Sequence, residues 1–306
     1  MKTFDTIVVG TDFSPLADVA LAGALDLARA TGAQRLHVVH VINTATAATV
    51  FPFSVPEAQL AHALKRSVED AQSRLDHLDF VETDYEITRK ALLGPPGKEL
   101  AAEAERVGGD VIVAASHGYG PIRRTLVGSV TSTLIRTAHC PVLIVGEDRP
   151  CRLPFENVLA SVDMSGVSRD VLANALGIVD NDGRLNVLSL FEHPLVTYEG
   201  AEVLPRYVSE DEIEAMGKKH GDAVRAVVED IPHEDIHIDV QVMSKAPAAQ
   251  VLLETAQILA PDLIVLGTSG HNAWHRMILG STATRVISEA ECPVLVVPHD
   301  VHHDED

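Results

Sequence analysis

The sequence predicts an α/β fold made of two tandem, open, parallel five-stranded sheets with helices on both faces. Three observations predict it. Short apolar runs alternate with longer stretches of helical periodicity, the pattern of strand–helix–strand units. One run, Val111–Ala115, lacks inside–outside alternation, as a strand covered on both faces should. The third observation is that the arrangement occurs twice. Ile7-Val8-Val9-Gly10-Thr11-Asp12 returns as Val158-Leu159-Ala160-Ser161-Val162-Asp163, and Cys140-Pro141-Val142-Leu143-Ile144-Val145 returns as Cys292-Pro293-Val294-Leu295-Val296-Val297. Gly118, followed after nine residues by Gly128-Ser129, returns as Gly270 with Gly280-Ser281. The offset is 151 residues at the first match and 152 at the other two, which means a duplicated domain and not an array of short repeats. The expected boundaries are a first domain over 1–148, a second over 155–298 and an acidic, histidine-containing tail over 299–306. The division falls in the charged stretch Glu147–Pro154, which holds two prolines.

Taken in order, the first half should place strands at Thr6–Val9, Leu36–Val41, Tyr85–Leu92, Val111–Ala115 and Val142–Val145. Helices should run over Leu16–Ala30, Pro56–Leu78, Lys98–Val107 and Ser129–Ala138. In the first of these, Leu16, Ala20, Ala24 and Leu27 keep one face apolar. The second half repeats the strands near Val158–Val162, Leu185–Phe191, Ile236–Val242, Leu263–Leu266 and Val294–Val297.

The totals narrow the function. Of 306 residues, 46% are hydrophobic and 22% charged, a globular composition; aromatics are only 4%, so Ala, Val, Leu and Ile must build the cores. A formal charge of −20, with no basic run interleaved with aromatics, argues against nucleic-acid binding. No apolar run approaches the roughly 20 residues that span a bilayer. The apolar patch at Thr6–Gly10 is too short for a secretory signal, so a cytoplasmic protein without membrane insertion is expected. Cys140, Cys151 and Cys292 form no CxxC pair. Cys140 and Cys292, each before a proline and a buried strand, read as small core residues.

An open parallel sheet binds ligands beyond the carboxyl ends of its strands, where the strand order reverses. The residues expected there are the ones that recur. Asp12 and Asp163 follow the first strand of each half and read as acceptors for an adenine amino group or a ribose hydroxyl; a helix N-cap is the alternative. After the fourth strand come the glycine-spaced loops. In the second half Gly267-Thr268-Ser269-Gly270 leaves a buried strand and Gly280-Ser281-Thr282 opens a helix. Glycine permits close backbone approach, and a helix start offers unpaired N–H groups to phosphate oxygens. Ser129 and Ser281 either cap those helices or donate a hydroxyl to the phosphate.

The spacing G-x2-G-x9-G-[S/T], complete in Gly267, Gly270, Gly280 and Ser281, stands beside Thr11-Asp12 and His40-Val41. With these, the chain resembles the ATP-binding universal stress proteins, once per half. The resemblance implies a strand order of 3-2-1-4-5 and ATP held between the first and fourth strands. Thr11, Asp12, Val41, Ala115, His117, Gly118, Gly128 and Ser129 would then line one site. Asp163, Leu190, Gly267, Gly270, Gly280 and Ser281 would line the other, with Val41 and Leu190 meeting adenine through backbone atoms. ATP is implied, with Mg²⁺ as a companion and ADP or AMP as variants. The resemblance also implies pairing of the two domains through their last strands, an intramolecular pseudo-dimer, and leaves a homodimer open. The halves depart from the pattern differently. Ala115 replaces the first glycine, a loss of affinity if that position needs positive φ, and Val162 replaces Thr11. The second site is therefore expected to be the tighter one.

Other constellations are discounted. Gly94-Pro95-Pro96-Gly97-Lys98-Glu99 has the wrong spacing for a P-loop. Ser116-His117, and Ser269 with His271, lack a third orienting group, so no catalytic residue is assigned. Arg123, Arg124, His275 and Arg276 could reach a terminal phosphate or lie in solvent. The tail His299–Asp306 reads as solvated, and no metal ligand is assigned. A stress-response regulator that binds adenine nucleotide is the leading reading. A weak ATPase or self-phosphorylating enzyme, and a scaffold whose degenerate sites take another ligand such as a lipid, stand as alternatives.

Overall fold

A computed structural model describes residues 4–44, 57–80, 83–116, 127–147, 149–190, 210–233, 235–243, 247–268 and 279–298. In chain order the first half contains β1 (Thr6–Gly10), α1 (Pro15–Thr31), β2 (Arg35–Asn43), α2 (Glu57–Asp76), β3 (Glu86–Gly94), α3 (Pro96–Val107), β4 (Val111–Ala115), α4 (Ser129–Thr137) and β5 (Val142–Val145). The second half contains β6 (Phe155–Val162), α5 (Ser168–Ile178), β7 (Val179–Leu190), α6 (Glu210–Glu229), β8 (His237–Met243), α7 (Ala248–Leu259), β9 (Leu263–Gly267), α8 (Ser281–Glu289) and β10 (Val294–Val297). The expected α/β class holds, and β4, β5 and β10 have the expected limits. Phe191, expected to end β7, lies outside the described residues. That strand instead begins earlier, at Val179, where Phe155 pairs with it across a register shift before Asn157 meets Arg184.

The two sheets are not separate, as the sequence suggested. All strands join one ten-stranded sheet in the order β3-β2-β1-β4-β5-β10-β9-β6-β7-β8. Within each half every pairing is parallel and the order is the 3-2-1-4-5 type. At the centre β5 and β10 run antiparallel, with Ile144 opposite Val294 and Val142 opposite Val296. Both strands are wholly buried apolar runs with no polar residue to discourage pairing.

Period-two alternation assigns the strand side chains to two cores, one on each face. Ile7, Val9, Val111, Val113, Leu143 and Val145 pack with Ala20, Ala24 and Leu27 of α1. On the other face Val8, Ile112, Ala114, Val142 and Ile144 pack with Leu100 and Ala104 of α3 and with Leu134 and Ile135 of α4. The small alanines let α1 approach closely, which explains how a chain so poor in aromatics fills its core. Cys140 and Cys292 depart from expectation: both are only partly buried at the rim of the second core, and Cys151 is the buried cysteine. Among the described residues no helix is long and apolar enough to cross a membrane.

Candidate functional site

The strand order reverses between β1 and β4 in the first half and between β6 and β9 in the second. β1 pairs with β2 on one side (Gly10 opposite Val39) and with β4 on the other (Val9 opposite Val113). Asp12, Val41 and Ala115 therefore all lie at the carboxyl ends of three adjacent strands. In the second half Ser161 is opposite Leu188 on one side and Leu266 on the other, which brings Asp163, Leu190 and Gly267 to the matching position.

Each glycine loop is closed at its neck. Gly128 N donates to the Ser116 carbonyl at 3.2 Å, and Gly280 N donates to the Thr268 carbonyl at 2.9 Å. The chain thus leaves its strand and returns to it, and α4 and α8 start beside the strand ends. Gly128 and Gly280 are the N-caps of these helices and bring no side-chain acceptor, while Ser129 and Ser281 are the exposed first helical residues. Neither serine occupies the cap position, so of the two roles open to them the cap is taken by glycine. The two helix starts differ in their bracing. Thr131 Oγ1 donates to the Ala115 carbonyl at 2.9 Å, whereas the residue at the same place in α8 is Ala283. His117, Gly118 and Gly270, as well as Arg123, Arg124, Ser269, His271, His275, Arg276 and the tail, lie outside the described residues.

The carboxylates sit in tight local turns. Asp12 Oδ1 accepts from Ser14 N, and Asp163 Oδ1 accepts from Ser165 N, each at 3.0 Å. In the first half the cap of α1 is Ser14, whose Oγ accepts from Ala17 N at 3.1 Å. The alternative role of Asp12 as N-cap is therefore taken by its neighbour. The residue after each aspartate has a left-handed backbone, Phe13 at φ 61° and Met164 at φ 60°. Such non-glycine conformations cost about 1–3 kcal/mol and persist where surrounding structure imposes them. Nothing in the side chains of Phe13 and Met164 announces this; only their place after a repeated aspartate hinted that the positions matter.

Neither Ala115 nor Gly267 is a positive-φ residue; each is the last residue of its strand. The backbone penalty expected for Ala115 does not arise, and with it goes the main argument for a tighter second site. The remaining difference is local. Thr11 Oγ1 accepts from Phe13 N at 3.0 Å, a bond that Val162 cannot make.

Two histidines complete the surroundings, and sequence reasoning gave a role to neither. His40 Nδ1 donates to the Thr11 carbonyl at 2.8 Å, and its ring lies 4.6 Å from that of Phe13. Arg74 of α2 covers Phe13 at 3.8 Å. Burial pulls the His40 pKa below its usual value, aided by Arg74 and opposed by the Thr11 carbonyl and Asp12. In the second half Ser189 stands where His40 stands. Its Oγ donates to the Val162 carbonyl at 3.3 Å and lies 2.7 Å from His220 Nε2. His220 comes from the middle of α6, far away in sequence, so no spacing rule could have found it.

The model of the universal stress protein family matches residues 3–146 and 154–298. A universal stress protein of Mycobacterium tuberculosis is 30% identical over 311 residues, covering 95% of this chain and 96% of that protein. A universal stress protein A homologue of Coxiella burnetii is 32% identical over 145 residues, 47% of this chain and 96% of its own. Among solved structures, a universal stress protein of Archaeoglobus fulgidus superposes with a TM-score of 0.61 at 20% identity, covering 96% of both chains. A universal stress protein of Pseudomonas aeruginosa gives 0.59 at 21%, covering 97% of this chain and 94% of that one. The two structures share the fold, and the sequence matches run the length of both halves. This chain belongs to the universal stress protein family, with two copies of the family's domain in tandem.

Proposed function

We propose that this protein binds adenine nucleotide at the carboxyl-end crevices of its sheet, in one or both halves, and acts in the stress response as a nucleotide-dependent regulator. The observation that carries the reading is the paired neck. In both halves a glycine-capped helix start is tied back to a strand end across the strand-order reversal from an aspartate. Uncapped N–H groups and the positive end of the helix dipole suit phosphate oxygens. The carboxylates of Asp12 and Asp163 suit an amino or hydroxyl donor, and the backbone at Val41 and Leu190 suits the adenine edge. The site residues in this reading are Thr11, Asp12, Val41, Ala115, His117, Gly118, Gly128 and Ser129 in the first half. In the second they are Asp163, Leu190, Gly267, Gly270, Gly280 and Ser281. ATP is the nucleotide favoured, with ADP and AMP as shorter occupants. Mg²⁺, where it accompanies ATP, is carried by the phosphates in this reading.

The same reading treats 1–148 and 155–298 as the two domains, 299–306 as an acidic, histidine-containing tail, and the cytoplasm as the setting. In this reading the antiparallel contact of β5 with β10 serves as the pseudo-dimer interface, which supports treating the chain as two paired domains. The direct test denatures the freshly purified protein, without added nucleotide, and runs the supernatant on anion exchange. One or two equivalents of ATP or ADP support the proposal, and Gly128→Val and Gly280→Val then assign them to halves. A nucleotide-free supernatant together with no calorimetric signal from Mg-ATP would sink it.

A further inference from the structure

We propose that Arg149, which follows the first half, is a positioning residue for the phosphate-facing end of α8 in the second. This inference rests on the nucleotide reading above and adds an asymmetry to it.

The antiparallel junction makes such a contact geometrically available. β5 ends at the ligand pole of the first half, whereas β10 begins at the opposite pole of the second, where α8 ends. The turn after β5 thus lies beside the last turn of α8. Its backbone is closed on itself: Gly146 N donates to the Arg149 carbonyl at 3.2 Å, and Arg149 N donates to the Gly146 carbonyl at 3.1 Å. Arg149 as a whole is 8% exposed. Its Nη1 donates to the Ala290 carbonyl at 2.9 Å and its Nη2 to the Ile287 carbonyl at 2.7 Å. These belong to the carbonyls that a helix end leaves without internal partners, at the pole where a cation is favoured. The turn has room for the arginine only because residue 146 is glycine. A Cβ there would lie 2.8 Å from Arg149 Nε and 2.9 Å from its Cγ.

The other end of the turn reaches the first site. Val145, next to Gly146, accepts from Ser116 N at 2.8 Å, and Ser116 is the residue that closes the neck of the first loop. The turn is thus anchored on the first half by backbone bonds that do not involve the Arg149 side chain, which gives the arginine a fixed base from which to hold the far end of α8. At nine residues α8 is about 13 Å long, short enough to move as a rod. A tilt at Ala290 is then felt at Gly280.

The two halves need this device unequally. α4 is braced at its ligand-facing end by the Thr131 hydroxyl on the Ala115 carbonyl. α8 has Ala283 there and lacks that hydroxyl. Arg149 supplies a brace from the other end. The counterpart of Arg149, four residues past the end of β10, is Val301, which has no side-chain donor and lies outside the described residues.

The experiment uses the full chain with Arg149→Gln and Arg149→Lys, titrated with ATP and with adenosine. In a Gly128→Val background, which reports the second site, Arg149→Gln should weaken ATP roughly threefold to tenfold. Adenosine should be unaffected there, because α8 meets only phosphate, and Lys should recover part of the loss. In a Gly280→Val background, which reports the first site, Arg149→Gln should leave ATP binding as it was. Equal losses for ATP and adenosine, or at both sites, would mean that Arg149 only holds the fold together and would overturn the proposal. A second arm needs no nucleotide: amide exchange at Thr284–Val286 should quicken in Arg149→Gln while Ser132–Leu134 stays unchanged. Unaltered exchange in α8 overturns the proposal by itself. If the unsubstituted chain binds neither probe, the nucleotide reading fails, and the exchange arm still decides the role of Arg149.

Discussion

Glu103 shows how one residue can carry a large share of local stability. It is 4% exposed, yet its carboxylate accepts four hydrogen bonds from three residues. Oε1 accepts from His37 Nε2 at 2.9 Å and Arg106 Nη2 at 2.6 Å, and Oε2 accepts from Lys90 Nζ at 2.9 Å and Arg106 Nε at 2.8 Å. Burial by itself would raise its pKa; Arg106, Lys90 and His37 outweigh that and hold it at about 2, against 4.5. The lowered pKa contributes stability that is present above the unfolded pKa and lost as pH falls towards the folded one, reduced by the water that screens Arg106 and Lys90. His37 also favours neutrality when folded: burial lowers its pKa from 6.5 against the pull of Glu103, and Thr88 Oγ1 lies 2.6 Å from Nδ1. The unfolded chain therefore takes up the histidine proton first, so stability should begin to fall as pH drops below 6.5 and fall again below 4.5. Urea titrations between pH 7 and 5 should show this slope, shallower in His37→Gln. Glu103→Gln should lose about 1–3 kcal/mol at pH 7, because a buried carboxylate loses its charge-assisted bonds to Lys90 and Arg106, whose own charges stay in reach of water. A loss below 0.5 kcal/mol would show that the cluster is solvated instead.

At the scale of elements, the helix ends decide what is strained and what is open. α3 ends at Gly108 with φ 66°, and α7 ends at its counterpart Ala260 with φ 45°. Alanine in the left-handed region costs about 1–2 kcal/mol, partly offset by the greater unfolded freedom of glycine. Ala260→Gly should therefore stabilise the chain by up to ~1 kcal/mol, read as a rise in melting temperature; a fall would mean that the Cβ of Ala260 is doing something other than strain. The start of α3 explains the glycine–proline segment that imitates a P-loop. Pro95 caps the helix and Pro96 opens it, while a Cβ on Gly97 would lie 2.6 Å from the Val130 carbonyl and 2.9 Å from Leu134 N. Those atoms are the backbone of α4, whose start is the proposed phosphate end of the first site. Gly97→Ala should cost about 1–3 kcal/mol by overpacking and weaken nucleotide binding at the first site more than at the second. Calorimetry with an unchanged ratio between the sites would contradict that coupling.

At the scale of the whole molecule, the central antiparallel pair leaves each half with an apolar edge that the other covers. Val142–Val145 is buried along its length. A fragment that stops at residue 148 would expose that edge to water and to other copies. It should associate into dimers in light scattering, at a concentration where the full chain gives a fixed mass. A stable, strictly monomeric fragment would show that the edge tolerates solvent and that pairing of the halves is not what protects it.

Much of this was legible along the chain because its causes are local. Val111–Ala115 and Val142–Val145 are strands by composition and by the absence of alternation, and the duplication is visible because aspartate, glycine and cysteine return at offsets of 151 and 152 residues. The glycine and serine of each helix start were found because their reason, a helix end beside a strand end, spans few residues. What depends on contacts between distant residues was not legible. That the last strands of the two halves meet was implied by the family resemblance and by no spacing along the chain, because it rests on which edge meets which. The left-handed backbone of Phe13 and Met164, and the strand conformation of Ala115, are set by neighbours that sequence spacing does not name. His220 reaches Ser189, Glu103 gathers His37 and Lys90, and Arg149 reaches the carbonyls of α8, all across separations where only packing decides. The sequence by itself thus determined the class and the duplication, and pointed to the strand ends at which the site is proposed. The tertiary structure decided which residues brace those ends, because hydrogen bonds and burial answer to proximity in space and not to order along the chain.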